Sequence, residues 1–189
     1  MPCNAGDIYP SPNPDFVSFR TRRSVVHSVN GIVACTQPLA AEVGQRILRA
    51  GGNAADAAVA VAAALGVTEP TNTGVGGDMF CLFYDAAKKE VKSFNGSGRS
   101  PGGTSLEQVR REIGSVHGQR DTIPMGSVHA ATTPGTVAGW IDTVERFGSG
   151  KLSLQDIFEP AIELSEHGFP VSEISSWLVR RSSRDRPSS

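Results

Sequence analysis

GIVACTQP (31–38), AGGNAADAAVA (50–60) and EPTNTGVGGDMF (69–80) are the segments on which the predicted fold depends. They lie within residues 31–84, where apolar runs alternate with glycine-rich turns. Glycine and asparagine at these boundaries supply the backbone conformations that turns and helix ends require. The stretch therefore predicts two helices followed by two strands.

The first predicted helix begins at Pro38, because a proline in the first turn gives up an N–H that would have no partner there. Leu39, Val43 and Ile47 follow at the spacing of a single apolar stripe. Gly51 can adopt the left-handed conformation that ends a helix. These residues predict a short amphipathic helix that packs one face against the core.

The second predicted helix begins after Asn53, a favourable N-cap. Asp56 lies three residues later and can complete a capping box. Residues 54–65 are almost entirely Ala, Val and Leu, so no polar face is left for water. We expect a helix that is buried on all sides. It is shorter than the roughly 20 residues that a membrane span needs.

The remaining chain contains further helix and strand patterns. A capping box at Ser153 and Asp156 precedes a helix that Pro160 should kink or split. Pro134-Gly135 precedes another helix. We expect strands at residues 24–36, 79–84 and 90–94, the last two paired as a hairpin, and a helix at 105–113.

Three regions are predicted along the chain. Residues 1–24 form an extended, proline-rich lead-in, and residues 25–177 form the folded domain. Residues 178–189 form a polar tail that we expect to be disordered, since its last ten residues contain no apolar side chain. A length of 189 residues suits one compact domain.

Composition excludes several classes of function. Eighteen basic and nineteen acidic residues nearly cancel, and no basic patch is interleaved with aromatic residues, so we expect no nucleic-acid partner. The three cysteines form no C-x-x-C pair, which favours free thiols. The first twenty residues lack the apolar core of a secretory signal. These features predict a cytoplasmic chain without a membrane association.

Familiar cofactor and metal motifs are incomplete. The run Gly74-Val75-Gly76-Gly77 lacks both the third glycine of a dinucleotide loop, where Met79 stands, and the Lys-Ser/Thr of a phosphate loop. The four histidines have no metal-type spacing. Around Ser97 there is no nucleophile elbow of the Gly-x-Ser-x-Gly type. We therefore expect no cofactor and no metal.

Residues 95–101 form a polar loop with a single cation, Arg99. A guanidinium can bind a carboxylate through two parallel hydrogen bonds. Arg99 is thus a candidate ligand for a small carboxylate. The alternative is a solvated surface arginine.

Several blocks in the right order resemble the start of the large subunit of γ-glutamyltranspeptidases (glutathione hydrolases). The resemblance covers roughly residues 28–177. The blocks are PLA (38–40), ILRAGGNAADAAVA (47–60), LGVTEP (65–70), GVGG (74–77), TPGTVAGW (133–140), EPAIEL (159–164) and HGFPV (167–171).

The resemblance implies an α+β fold of the N-terminal-nucleophile hydrolase type, an αββα sandwich of which only the N-terminal part of the large subunit is present. Family members cut themselves into two subunits. A new N-terminal threonine then attacks the γ-glutamyl amide of glutathione or a glutathione conjugate, and the acyl group passes to water, an amino acid or a peptide. The implied partners are that small molecule and a small-subunit-like chain.

Two departures from the family pattern affect the predicted site. The family's nucleophile lies in a Thr-Thr-His-like motif beyond the homologous region, so we expect this chain to lack the catalytic threonine. The family's carboxylate-binding arginine lies in Asp-Gly-Arg-Glu-x-x-Pro. An ungapped match puts Ser97 there, and Arg99 follows two residues later. A subgroup of relatives resembles this Gly-Ser-Gly-Arg version, and we take Arg99 as the carboxylate ligand.

Three hypotheses follow. The chain is part of a γ-glutamyltransferase-like enzyme, with an acylase acting on another amide as the competing specificity. It is a non-catalytic remnant that binds a partner. Or it is a freestanding module that binds a small molecule through Arg99. Without the rest of the family's fold, apolar surfaces and strand edges stay exposed, and we expect the isolated chain to aggregate or to be partly molten.

Overall fold

The computed structural model describes residues 24–113, 123–124 and 127–184. The chain divides into two compact units, residues 1–32 and 33–189. In the first unit, residues 24–32 are exposed and form no helix or strand. The second unit contains α1 (Pro38–Arg49), α2 (Ala54–Thr68), β1 (Phe80–Asp85), β2 (Glu90–Asn95), α3 (Leu106–Ile113), a 3-10 turn (Val128–Ala130), α4 (Thr136–Phe147), α5 (Leu154–His167) and α6 (Glu173–Arg184).

Helix α1 forms as its sequence predicts. Pro38 is its first residue, and Gly51 adopts a φ of 96° just beyond its end. Its apolar side is buried against α2. A Cβ added to Gly44 would lie 2.6 Å from the Cγ2 atom of Val61, so this glycine allows the two helices to approach closely.

Helix α2 begins with the predicted capping box. The Asn53 side chain accepts from the backbone N–H groups of Ala55 and Asp56, and the Asp56 carboxylate accepts from the backbone N–H of Asn53 at 2.9 Å. The same carboxylate accepts from the backbone N–H of Ser149 at 3.0 Å. Asn53 Nδ2 donates to the carbonyl of Phe147 at 2.7 Å. One cap therefore also joins α2 to the segment that follows α4.

Helix α2 is central, because α1, α4 and α5 all pack around it. Its burial is nevertheless incomplete, which corrects the prediction of a helix covered on all sides. Ala54 and Ala58 are exposed, and Ala62 and Leu65 are half-buried. These four residues share one side of the helix, so α2 has one apolar stripe without full cover.

Strands β1 and β2 form the predicted antiparallel hairpin. Its inner face packs on α4, where the ring of Phe83 stacks on Phe147 with centroids 5.1 Å apart and the guanidinium of Arg146 lies 4.8 Å from the centroid of Phe94. Alternate residues point to the other face. That outer face presents four exposed apolar side chains, Phe80, Leu82, Tyr84 and Val91.

Three predictions of secondary structure need correction. Residues 24–36 form no strand, because a strand requires a paired neighbour and none pairs with them in the described part of the chain. Pro160 does not split its helix, since α5 continues on both sides of it. Helix α6 reaches Arg184, so residues 178–184 are helical, whereas the sequence predicts disorder there. Residues 185–189 lie outside the described residues.

The error at α6 has a physical reason. Apolar residues are absent beyond Val179, but arginine has a high helix propensity. A helix that has formed its first turns gains one backbone hydrogen bond for each further residue.

None of the helices in the described ranges is both long and apolar enough to cross a membrane.

Candidate functional site

The loop that carries Arg99 starts where β2 ends at Asn95 and is held by two other segments. The backbone N–H of Gly96 donates to the carbonyl of Met79 at 2.9 Å, which extends the hairpin pairing by one bond. The backbone N–H of Thr133 donates to the carbonyl of Arg99 at 3.1 Å. Residues 77–79, 95–99 and 132–136 thus meet in one place, named here the three-segment junction.

The loop carrying Arg99 has no room for side chains where it crosses the segment that precedes α4. A Cβ on Gly98 would lie 1.6 Å from the carbonyl oxygen of Thr133, and one on Gly135 would lie 2.2 Å from the carbonyl oxygen of Gly96. Neither glycine has a positive φ, so close approach and not backbone conformation requires them. The position of the loop is therefore fixed by its backbone.

Arg99 is exposed, and within the described ranges its side chain makes no hydrogen bond or ion pair with the protein. Ser97, the residue that an ungapped family match favours, is exposed on the same loop. Its backbone N–H donates to Asn95 Oδ1 at 2.9 Å. Both candidates thus lie on one surface, and only Arg99 offers a positive charge to a ligand.

Asp78 is a residue of this site that the sequence analysis does not single out. Its Oδ1 atom accepts from the backbone N–H of Gly98 at 2.7 Å and from the hydroxyl of Thr132 at 3.2 Å. The available signal is its place directly after a glycine run that fits no nucleotide motif. A polar residue at the end of such a run is well placed to bind a second loop.

One hydroxyl at the three-segment junction has no hydrogen-bond partner among the residues that the structure describes. Thr136 is 3% exposed, and its Oγ1 atom makes no hydrogen bond with any described residue. Its backbone N–H and that of Gly135 both donate to the carbonyl of Gly77, at 3.0 and 3.1 Å. The start of α4 is therefore joined to the glycine run, while the hydroxyl remains unsatisfied.

A cleft of about 680 Å³ lies elsewhere, between α1 and α5. Its lining includes Leu39, Val43 and Leu164, with charged residues around them. Arg46 donates to Glu163 across the cleft at 2.7 Å. This hydrogen bond raises the pKa of Arg46 and lowers the pKa of Glu163. No residue of the loop at 95–101 lines the cleft.

The titratable groups of the described ranges contain no cluster of three or more metal-ligating side chains. Within the same ranges, His129 Nε2 pairs with Glu112 Oε2 at 2.6 Å. A hydrogen bond from Gln108 lowers the pKa of Glu112 most, and one from His129 lowers it further. This pair connects α3 to the 3-10 turn and lies outside the loop of Arg99.

Comparison with known proteins decides the family. A family model described as gamma-glutamyltranspeptidase matches residues 40–186, most of the chain. The chain belongs to the gamma-glutamyltranspeptidase family. Its fold class is therefore α+β, the N-terminal part of the family's N-terminal-nucleophile hydrolase fold, as the resemblance implies.

Similar proteins include both glutathione hydrolases and acylases. The glutathione hydrolase-like YwrD proenzyme of Bacillus subtilis (strain 168) is 44% identical over 135 residues, which cover 71% of this chain and 24% of that protein. A cephalosporin acylase from Bacillus halodurans superposes with a TM-score of 0.75 at 36% identity, covering 93% of this chain and 32% of the other.

The γ-glutamyltranspeptidase of Helicobacter pylori superposes with a TM-score of 0.70 at 28% identity, covering 85% of this chain and 44% of the other. This family member therefore shares the backbone arrangement of the described residues. The chain spans about a quarter of the length of the curated relatives it matches.

Proposed function

We propose that the chain is the γ-glutamyl-binding part of a γ-glutamyltransferase or glutathione hydrolase. In this proposal Arg99 binds the α-carboxylate of the γ-glutamyl group of glutathione or a glutathione conjugate. The observation that carries it is an exposed guanidinium, with no partner in the described ranges, on a loop fixed by backbone hydrogen bonds. A guanidinium matches a carboxylate with two parallel N–H donors.

The reacting atom is proposed to come from another segment. The family's nucleophile is an N-terminal threonine, and this chain spans only about a quarter of its curated relatives. A nucleophile-bearing segment, in the same polypeptide or on a small-subunit-like chain, would attack the amide that Arg99 helps to orient. The role of the present residues is to bind and position the acyl group.

An acylase acting on another amide is the second candidate. The 36% identity to a cephalosporin acylase over 93% of this chain favours it. In this second proposal Arg99 would again bind a carboxylate of the acyl group, beside a different amide. The two candidate functions differ in the chemical groups that surround the carboxylate of the ligand.

A titration with glutathione tests the proposed role of Arg99. Amide chemical-shift changes, followed at a concentration at which sedimentation shows the 189-residue chain to be monomeric, would give the dissociation constant for the wild type and for Arg99→Ala, Arg99→Lys and Ser97→Ala. We expect Arg99→Ala to raise it about tenfold or more, since a hydrogen-bonded charge contributes roughly 1.5–3 kcal/mol. Arg99→Lys should recover only part of the loss, and Ser97→Ala should bind like the wild type.

Arg49→Ala is the matched control, because Arg49 is an exposed arginine at the end of α1, outside the three-segment junction. It should leave glutathione affinity unchanged. Equal losses in Arg49→Ala and Arg99→Ala would indicate nonspecific attraction and would overturn the proposal. So would an absence of binding by the wild type.

A further inference from the structure

Asp78 is the only carboxylate among the described residues that holds the loop carrying Arg99. Its Oδ1 atom accepts from the backbone N–H of Gly98 at 2.7 Å, one residue before Arg99. On the other side of Arg99, the carbonyl of that residue accepts from Thr133. The backbone is thus fixed both before and after the arginine.

Thr132 strengthens this arrangement, because its hydroxyl donates to the same Oδ1 atom at 3.2 Å. Asp78 therefore joins the segment before β1, the loop of Arg99 and the segment before α4 through one oxygen. Hydrogen bonds to an ionised acceptor are shorter and stronger than neutral ones. The donors next to Asp78 are a backbone amide and a hydroxyl, so its charge is not neutralised by an ion pair within the described ranges.

We propose that Asp78 is a positioning residue, which holds the loop at 95–101 so that the Arg99 guanidinium faces the ligand's carboxylate. The inference rests on the proposed function, because it assigns Asp78 a role through Arg99. The inference extends the proposed function, because it names the group that fixes the arginine. Without Asp78, the loop would keep its close backbone crossing at Gly98 but lose the charged acceptor that sets its distance from β1.

A double-mutant cycle in the 189-residue chain tests this. Asp78→Ala should raise the dissociation constant for glutathione several-fold, toward the value of Arg99→Ala. Adding Asp78→Ala to Arg99→Ala should cause no further loss, because the aspartate acts through the arginine. Asp78→Asn keeps an oxygen acceptor at Oδ1 and should lose less than Asp78→Ala; if the alanine variant does not fold, the cycle is run with Asp78→Asn.

Asp85→Ala is the matched control. Asp85 Oδ1 likewise accepts two bonds, from the backbone N–H groups of Ala87 and Lys88 at 3.1 and 3.2 Å, but at the opposite end of the hairpin. Its loss should leave affinity unchanged even if it lowers stability. A spectroscopic readout accompanies the cycle, since the Gly98 amide proton should move upfield when its charged acceptor is removed.

The outcomes separate the two proposals. If Arg99→Ala weakens binding and the Asp78 variants bind like the wild type, the positioning role is wrong and the function of Arg99 stands. Losses that add up in the double variant would also overturn the positioning role. If Arg99→Ala has no effect, the proposed function itself fails.

Discussion

Gly98 shows how a single residue controls the position of the candidate site. Its backbone N–H donates to Asp78, and its Cα lies so close to Thr133 that a methyl group would meet the carbonyl oxygen at 1.6 Å. The neighbouring Gly102 has no atom within 4 Å of an added Cβ. Two glycines four residues apart therefore differ in their tolerance of substitution, although the sequence gives no sign of it.

Gly98→Ala should lower the free energy of unfolding by about 3 kcal/mol, because two backbone segments must separate to admit the methyl group. Gly102→Ala should change it by less than about 1 kcal/mol, and in the stabilising direction if the unfolded chain loses freedom. Urea unfolding of both variants measures the difference. Equal effects would mean that Gly98 and Thr133 are not in contact.

Asp56 is 1% exposed, and it connects the start of α2 to the segment that follows α4. Its carboxylate accepts from the backbone N–H groups of Asn53 and Ser149. Asp56→Ala would leave both donors unsatisfied, and we expect a loss of about 2–4 kcal/mol in the free energy of unfolding. Asp142→Ala, an exposed i,i+4 pair with Arg146, is the control and should cost less than about 1 kcal/mol. A smaller loss at Asp56 than at Asp142 would contradict the cap.

At the scale of the element, the cap of α5 predicts a pH dependence. Hydrogen bonds from the hydroxyl and the backbone N–H of Ser153 hold the pKa of Asp156 below its ordinary value of 3.8. A carboxyl whose pKa is lowered by folding stabilises the fold above its unfolded pKa. That contribution is lost as the pH falls through the lower, folded pKa.

The difference in unfolding free energy between the wild type and Asp156→Asn should therefore be full at neutral pH and should shrink as the pH falls below 3.8. Urea unfolding at a series of pH values measures it. Glu163→Gln is a useful comparison, because the hydrogen bond from Arg46 also lowers the pKa of Glu163. A difference for Asp156→Asn that stays constant over the whole series would contradict the assigned cap.

The elements that sequence reasoning predicted are those with local signals. Pro38, Gly51 and the pair Asn53 and Asp56 act within a few residues of themselves, so the ends of α1 and α2 could be predicted. Whether residues 24–36 form a strand could not be predicted, since strand pairing depends on distant partners. Arg99 could be found as a lone cation on a polar loop, but Asp78 acts on a residue twenty positions away. Only the fold reveals that contact.

At the scale of the whole molecule, the hairpin presents a surface that a folded protein normally covers. Leu82 is 80% exposed, and Phe80, Tyr84 and Val91 lie on the same face. Within the described ranges, both edges of this two-stranded sheet are also unpaired. The uncovered stripe of α2 adds to this apolar surface. These surfaces favour association, as expected for a chain that contains part of a larger family fold.

We therefore expect the isolated 189-residue chain to bind a hydrophobic fluorescent dye and to associate at rising concentration. Leu82→Lys should reduce both effects, because it places a charge on the outer face. Lys92→Leu makes the reverse exchange, of a charge for an apolar side chain, on the inner face of the hairpin. Sedimentation and dye fluorescence measure the effects. A chain that stays monomeric as its concentration rises and binds no dye would contradict this expectation.

Changing the ligand shows most directly whether Arg99 binds the α-carboxylate of a γ-glutamyl group. The measurement is the ratio of two dissociation constants, for glutathione and for γ-aminobutyryl-cysteinyl-glycine, which lacks that carboxylate. We expect the wild type to prefer glutathione by about tenfold or more and Arg99→Ala to have almost no preference. An unchanged preference in Arg99→Ala would contradict it.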